Sequence, residues 1–207
     1  MLHGLYVITD SKYYSLSEWP ERIEKIILGG ANIIQLREKN LTPDQLLPHA
    51  LAIRELCNDY GVLLIINDHI TLARKIKADG VHIGQHDQSI THAREYLGSN
   101  YLIGASCYRH LYKAICAQNH GADYVAFGSI FSSSTKIGAP RCPLAVISQA
   151  KYCLQVPVCA IGGINQKNIA YVMKTGADLF ATSHAVFNAD NPRVAANKIH
   201  QRVIMAR

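Results

Sequence analysis

Three turns repeat one device along this chain: Lys77-Ala-Asp-Gly80, His120-Gly-Ala-Asp123 and Thr175-Gly-Ala-Asp178, with Gly29-Gly-Ala-Asn32 as a fourth variant. Glycine ends a helical pattern, and a short polar residue then precedes an apolar run, as an αβ loop requires. Such repetition means one βα unit used many times. The apolar runs predict strands over 5–9, 33–36, 63–66, 80–83, 102–104, 124–127, 158–161 and 179–181. Helical patterns fill the intervals, over 19–28, 43–60, 70–76, 90–97, 110–119, 144–152, 166–174 and 193–203. Thr42 is the expected N-cap of the second helix, with Pro43 at its first position. Eight strands alternating with eight helices in 207 residues, with no linker, predict one domain over 1–207. Its expected form is a closed α/β (β/α)8 TIM barrel. The competing architecture, a doubly wound open sheet, would carry a glycine-rich turn after its first strand, and Val7-Ile-Thr-Asp-Ser-Lys12 has none.

Composition narrows the function classes. Hydrophobic residues at 49% and charged residues at 17% are globular usage, and no run of about 18 apolar residues suggests a membrane span. Residues 1–10 read as a first strand and lack the features of a signal peptide, so the expected location is cytoplasmic. The six cysteines show no C-x-x-C pair or regular framework. The net charge of +6 is dispersed, with no basic block, which argues against nucleic acid and for anionic small molecules. Self-association into a homo-oligomer stays open.

In a barrel, chemistry gathers just past the C-terminal ends of the strands. The second strand ends in Gln35-Leu-Arg-Glu-Lys39, and alternation points Gln35, Arg37 and Lys39 the same way, as a clamp for a polyanion. The competing reading is a strand end salt-bridged through Glu38. The third and fourth strands end in Asn67-Asp68 and Gly84-Gln-His-Asp87. Asp68 and Asp87 beside the cationic clamp suit Mg2+, which takes one or two carboxylates plus substrate phosphates; taken singly, each could be a helix cap. His82 reads as packed in the barrel or touching substrate, and Cys107 as a small apolar filler. Gly121 to Lys136 is a buried strand running into a loop of hydroxyls and one ammonium, suited to a phosphate ester. Gly162-Gly163 and Thr182-Ser183 follow the seventh and eighth strands, where these barrels usually hold a phosphate. Two anion sites imply two phosphorylated substrates, or one phosphorylated at both ends. No residue stands out as an obligatory nucleophile, which suits catalysis by positioning and electrostatics.

Leu5-Tyr-Val-Ile-Thr-Asp10, Gln35-Leu-Arg-Glu-Lys39, Ile66-Asn-Asp68, Gly80-Val-His-Ile-Gly-Gln-His-Asp87, Gly104-Ala-Ser-Cys107, Ala122-Asp-Tyr-Val-Ala-Phe-Gly-Ser-Ile130, Ser134-Thr-Lys136 and Ala160-Ile-Gly-Gly-Ile164 together resemble the thiamine phosphate synthase family. The likeness runs in order along nearly the whole chain. It implies a transferase that joins a hydroxymethylpyrimidine diphosphate to a thiazole phosphate, giving thiamine phosphate and pyrophosphate by a dissociative route. Gln35, Leu36, Arg37, Glu38, Lys39 and Asn67 would then hold the pyrimidine diphosphate, and Asp68 and Asp87 the Mg2+. Ser106 and Lys136 would contact the pyrophosphate, Ser106 helping it leave, so that Arg37, Ser106 and Lys136 form the expected catalytic set. Ser133, Ser134, Thr135, Gly163, Thr182 and Ser183 would meet the thiazole phosphate. The chain departs from the usual pattern at Ser132, where proline is common, and at His86, where glutamate is. The alternatives are a thiazole tautomerase-like barrel, which does not need the full diphosphate and metal set, and a non-catalytic phosphate-binding barrel.

Overall fold

The computed structural model describes residues 2–12, 14–84, 87–132 and 140–205. Eight parallel strands close into a barrel in sequence order. They are β1 (Gly4–Ile8), β2 (Ile33–Leu36), β3 (Leu63–Asn67), β4 (Gly80–Ile83), β5 (Leu102–Tyr108), β6 (Tyr124–Phe127), β7 (Val158–Ile161) and β8 (Leu179–Thr182). Around them lie α1 (Trp19–Leu28), α2 (Pro43–Asp59), α3 (Ile70–Lys75), α4 (Ile90–Leu97), α5 (Leu111–Asn119), α6 (Leu144–Cys153), α7 (Ile169–Met173), α8 (His184–Phe187) and α9 (Pro192–Met205). The expected barrel is the one observed. Both faces of every strand are covered, which explains the unbroken apolar runs. Leu5, Val7, Ile34, Leu36, Leu64 and Ile66 face the helices, while Tyr6, Ile8, Ile33, Ile65, Tyr124 and Cys159 fill the interior.

The repeated turns turn out to be one belt around the foot of the barrel, open at a single joint. Asn32, Asp79, Asp123 and Asp178 each donate a backbone N–H to the strand before, to the carbonyls of Leu5, Leu64, Ile103 and Val158 at 2.9, 3.0, 2.7 and 2.9 Å. The side chain of each accepts the N–H of that same residue, at 3.0 Å for Asn32 and 2.7 Å for the three aspartates. The backbone carbonyl then reaches forward. Asn32, Asp79 and Asp178 accept from Leu63, Leu102 and Gly4. At the fourth joint the corresponding residue is Pro157, which has no N–H to give. Each aspartate also meets a cation on the helix before the strand it caps: Arg54, Arg94 and Lys151.

Several boundaries differ from expectation. β5 runs four residues past Gly104, with an irregularity between Ser106 and Tyr108, so Ser106 lies on the strand and not beyond it. α7 starts at Ile169 and not at Gln166, because Asn165 and Asn168 take over the intervening turn. Asn165 N–H donates to the Asn168 side chain at 2.8 Å, and Lys167 N–H to the Asn165 side chain at 2.8 Å, bonds that compete with a helix. The four-residue α8 was not expected, being too short to show a period. Thr42 does cap α2, accepting from Gln45 N–H at 3.4 Å.

Asp178 accepts the Val158 N–H and two bonds from Lys151, at 2.8 and 2.6 Å. Asp178→Ala leaves a partly buried N–H and an ammonium without their acceptor, and should lower stability by about 1.5–3 kcal/mol. Asp178→Asn keeps the acceptor and should cost less. The urea midpoints of the two variants measure both.

Candidate active site

A cavity of about 500 Å³ opens at the C-terminal ends of the strands, lined by Gln35, Arg37, Asn67, His82, Ser106, Gly163, Thr182 and Ser183 among others. On the β2 side, the Thr9 hydroxyl accepts Arg37 N–H at 2.8 Å and donates to Arg37 C=O at 3.1 Å, extending the pairing of β1 with β2 past the strand ends. That fixes the backbone from which Arg37 projects. Among the described residues, no carboxylate lies within salt-bridge distance of Arg37, and Glu38 instead accepts Asn40 N–H at 2.6 Å. The salt-bridged strand end is therefore not what forms.

At the neighbouring rim, Asp68 and Asp87 face each other within hydrogen-bonding reach. Gly84 lies against them: its N–H donates to Asp87 Oδ2 at 2.7 Å, and a methyl group in its place would stand 4.0 Å from Asp68 Oδ1. Burial, and then the Asp87 carboxylate, push the Asp68 carboxyl above its ordinary pKa; Lys39, with Nζ 3.6 Å from Asp68 Oδ2, acts the other way. Asp68 sits at φ 63°, left-handed backbone that aspartate tolerates better than most side chains and that often marks functional sites. Neither aspartate caps a helix. His69 occupies that position in α3, and the Ser89 hydroxyl caps α4, accepting from His92 N–H at 3.1 Å. Among the described residues no group of three or more metal-ligating side chains gathers, so the pair stands as two carboxylates alone.

Opposite, Gly163 adopts φ +63°, and a Cβ there would come within 2.4 Å of Ser132 C=O. The loops after β6 and β7 are laced together, Ile130 N–H to Ile161 C=O at 3.1 Å and Phe131 N–H to Gly162 C=O at 2.9 Å. The Thr182 hydroxyl donates to Ile164 C=O at 3.1 Å, joining β8 to the β7 loop. Arg22 of α1 stacks on Tyr14 and holds the end of α8 through the carbonyls of Phe187 and Ala189. Backbone amides and small side chains thus form the cavity's second polar wall.

Residues 5–186 match the family described as thiamine monophosphate synthase. The chain belongs to that family. It is 40% identical over 198 residues to the thiamine-phosphate synthase of Thioalkalivibrio sulfidiphilus, covering 96% of this chain and 94% of the relative. It is 42% identical over 193 residues to that of Nitrosomonas eutropha, covering 93% and 91%. The solved thiamine phosphate pyrophosphorylase of Pyrococcus furiosus superposes with a TM-score of 0.89 at 35% identity, covering 98% and 96%. No helix among the described residues is long and apolar enough to cross a membrane.

Within this thiamine monophosphate synthase fold the expected residues divide into four groups. Gln35, Arg37, Asn67, Ser106, Gly163, Thr182 and Ser183 line the cavity. Lys39, Asp68 and Asp87 form the rim beside it. Leu36 and Glu38 turn away: Leu36 is buried against the helices and Glu38 folds back onto Asn40, so only their backbone is left to a ligand. Ser133, Ser134, Thr135 and Lys136 lie outside the described residues, as does His86. Sequence reading missed Tyr6, Tyr108, Arg109 and His110, all lining the cavity. Tyr6 follows from the alternation of β1, while the other three depend on the unexpected length of β5.

Two facing carboxylates repel. Asp68→Asn keeps a residue that accepts left-handed backbone and removes one charge. Its melting temperature without metal should rise above that of the native chain, and added Mg2+ should raise the melting temperature of the native chain but not that of the variant. Thermal melts with and without Mg2+ check both.

Proposed function

We propose that the chain is a thiamine-phosphate synthase acting on the pyrimidine diphosphate 4-amino-2-methyl-5-(diphosphooxymethyl)pyrimidine and a thiazole phosphate, with release of pyrophosphate. The observation that carries the reading is the rim where two facing carboxylates, Lys39 and an Arg37 with no carboxylate partner among the described residues meet beside one cavity. Arg37 can grip two oxygens of the diphosphate at once, and Lys39 adds a point charge. Asp68 and Asp87 suit Mg2+, whose remaining positions diphosphate oxygens can fill. Bound there, Mg2+ would offset charge on the leaving pyrophosphate. Gln35 and Asn67 reach the same space from β2 and β3 and would orient the pyrimidine. Gly163 and the Thr182-Ser183 backbone supply the wall for the thiazole phosphate, on the opposite side, and by the family resemblance Lys136 would contact the pyrophosphate. The reaction divides accordingly: one wall draws off the diphosphate while the other presents the thiazole nitrogen to the carbon it leaves.

Pyrophosphate should be released only when both substrates and Mg2+ are present, and Arg37→Ala should lower kcat/KM by roughly 10²–10³-fold. A coupled pyrophosphate assay reads both. Thiazole phosphate that is bound or isomerised without pyrophosphate release would point instead to a tautomerase-like relative.

A further inference from the structure

Five side chains from five strands form a single file through the floor of the cavity. Gln35 Nε2 donates to the Tyr6 hydroxyl at 2.7 Å. The Tyr6 and Tyr124 hydroxyls are 2.9 Å apart. The Tyr124 hydroxyl lies 3.1 Å from His82 Nδ1, and His82 Nε2 lies 2.9 Å from Ser106 Oγ. Gln35, Tyr6, Tyr124 and His82 are all at most 9% exposed. Burial is the first cause that pushes both phenols well above their ordinary pKa, so each keeps its single proton.

One proton per hydroxyl gives the file a direction. The Gln35 amide nitrogen can only donate, so Tyr6 accepts there, and the file is satisfied from end to end when Tyr6 gives its proton to Tyr124. Tyr124, having accepted, donates to Nδ1 of His82. The imidazole proton is then on Nε2, and it is given to Ser106 Oγ. Ser106 is left to point its own hydrogen at whatever occupies the cavity. A serine beside a histidine ring usually suggests a nucleophile and its base; that pair would need the opposite polarity, with Ser106 donating to Nε2.

We infer that His82 is a positioning residue, locked as the Nε2–H tautomer by Tyr6 and Tyr124, and that it makes Ser106 a hydrogen-bond donor to the ligand. No proton changes hands. The donor strengthens as negative charge builds on an oxygen opposite it, whereas the reversed file would face that oxygen with serine lone pairs. Which oxygen it meets, that of the departing pyrophosphate, rests on the synthase reading; the polarity of the file does not.

The two are tested separately. Nitrogen-15 NMR of the native chain without substrates should place the His82 proton on Nε2, with His82→Gln identifying the signals. Tyr124→Phe should mix the tautomers, and should lower kcat about tenfold or more with the KM of both substrates little changed. His82→Gln, whose amide can still donate towards Ser106, should retain about tenfold more activity than His82→Leu. A proton on Nδ1 in the native chain, or equal loss in the glutamine and leucine variants, would overturn the inference. Absence of pyrophosphate release in the native chain would sink the synthase reading while leaving the NMR result to decide the polarity.

Discussion

Closing eight parallel strands into a ring leaves peptide groups at its foot that the strand ladder does not fully serve, and the rest of the structure depends on how these are met. Four asparagine or aspartate residues meet them, each bonded twice to the strand before it, and three of them bonded again to the strand after it. The device recurs at every second strand and runs across the joint between β8 and β1 without a change of pattern. Its chemistry is local, a short side chain accepting a backbone N–H, which is why it is visible as a repeated tripeptide. Asn32, the neutral member, caps β1, before which no helix among the described residues brings a cation.

With the foot fixed in this way, the other end is free to carry chemistry. The ends of β2, β3 and β4 bring Arg37, Lys39, Asp68 and Asp87 to one rim, while the loops after β7 and β8 bring backbone groups to the other. Asp68 illustrates the division. Its N–H donates to His82 C=O at 2.9 Å, so the carboxylate pair and the interior file share a backbone bond although their side chains serve different ends. The conformation of Asp68 is costly for most residues, and it is held by that bond and by the turn in which His69 N–H donates to Asn67 C=O.

Much of this was legible because barrel strands are short and apolar on both faces. β2, β4, β6 and β7 fall where the apolar runs predict them, residue for residue. Once a strand is located, the residues around its end are located too, which is how Arg37, Asn67, Ser106 and Gly163 could be named. The misses have separate causes. Tyr108 to His110 were lost because a polar strand end with an irregular register resembles a loop. Leu36 and Glu38 were carried into the site with their neighbours, although Leu36 packs against the helices and the Glu38 carboxylate accepts Asn40 N–H. The contact of Tyr6 with Tyr124 joins residues 118 positions apart, and register alone decides it. No local pattern records such a meeting.

Gly104 pairs with Tyr124 on the adjoining strand, and a Cβ added to it would lie 2.0 Å from Tyr124 Cζ and 2.3 Å from its hydroxyl. A single methyl group at this position would displace the ring that links Tyr6 to His82. The two positions are therefore not free to vary independently: a lineage that gained a side chain at 104 would lose the middle of the file unless position 124 changed with it.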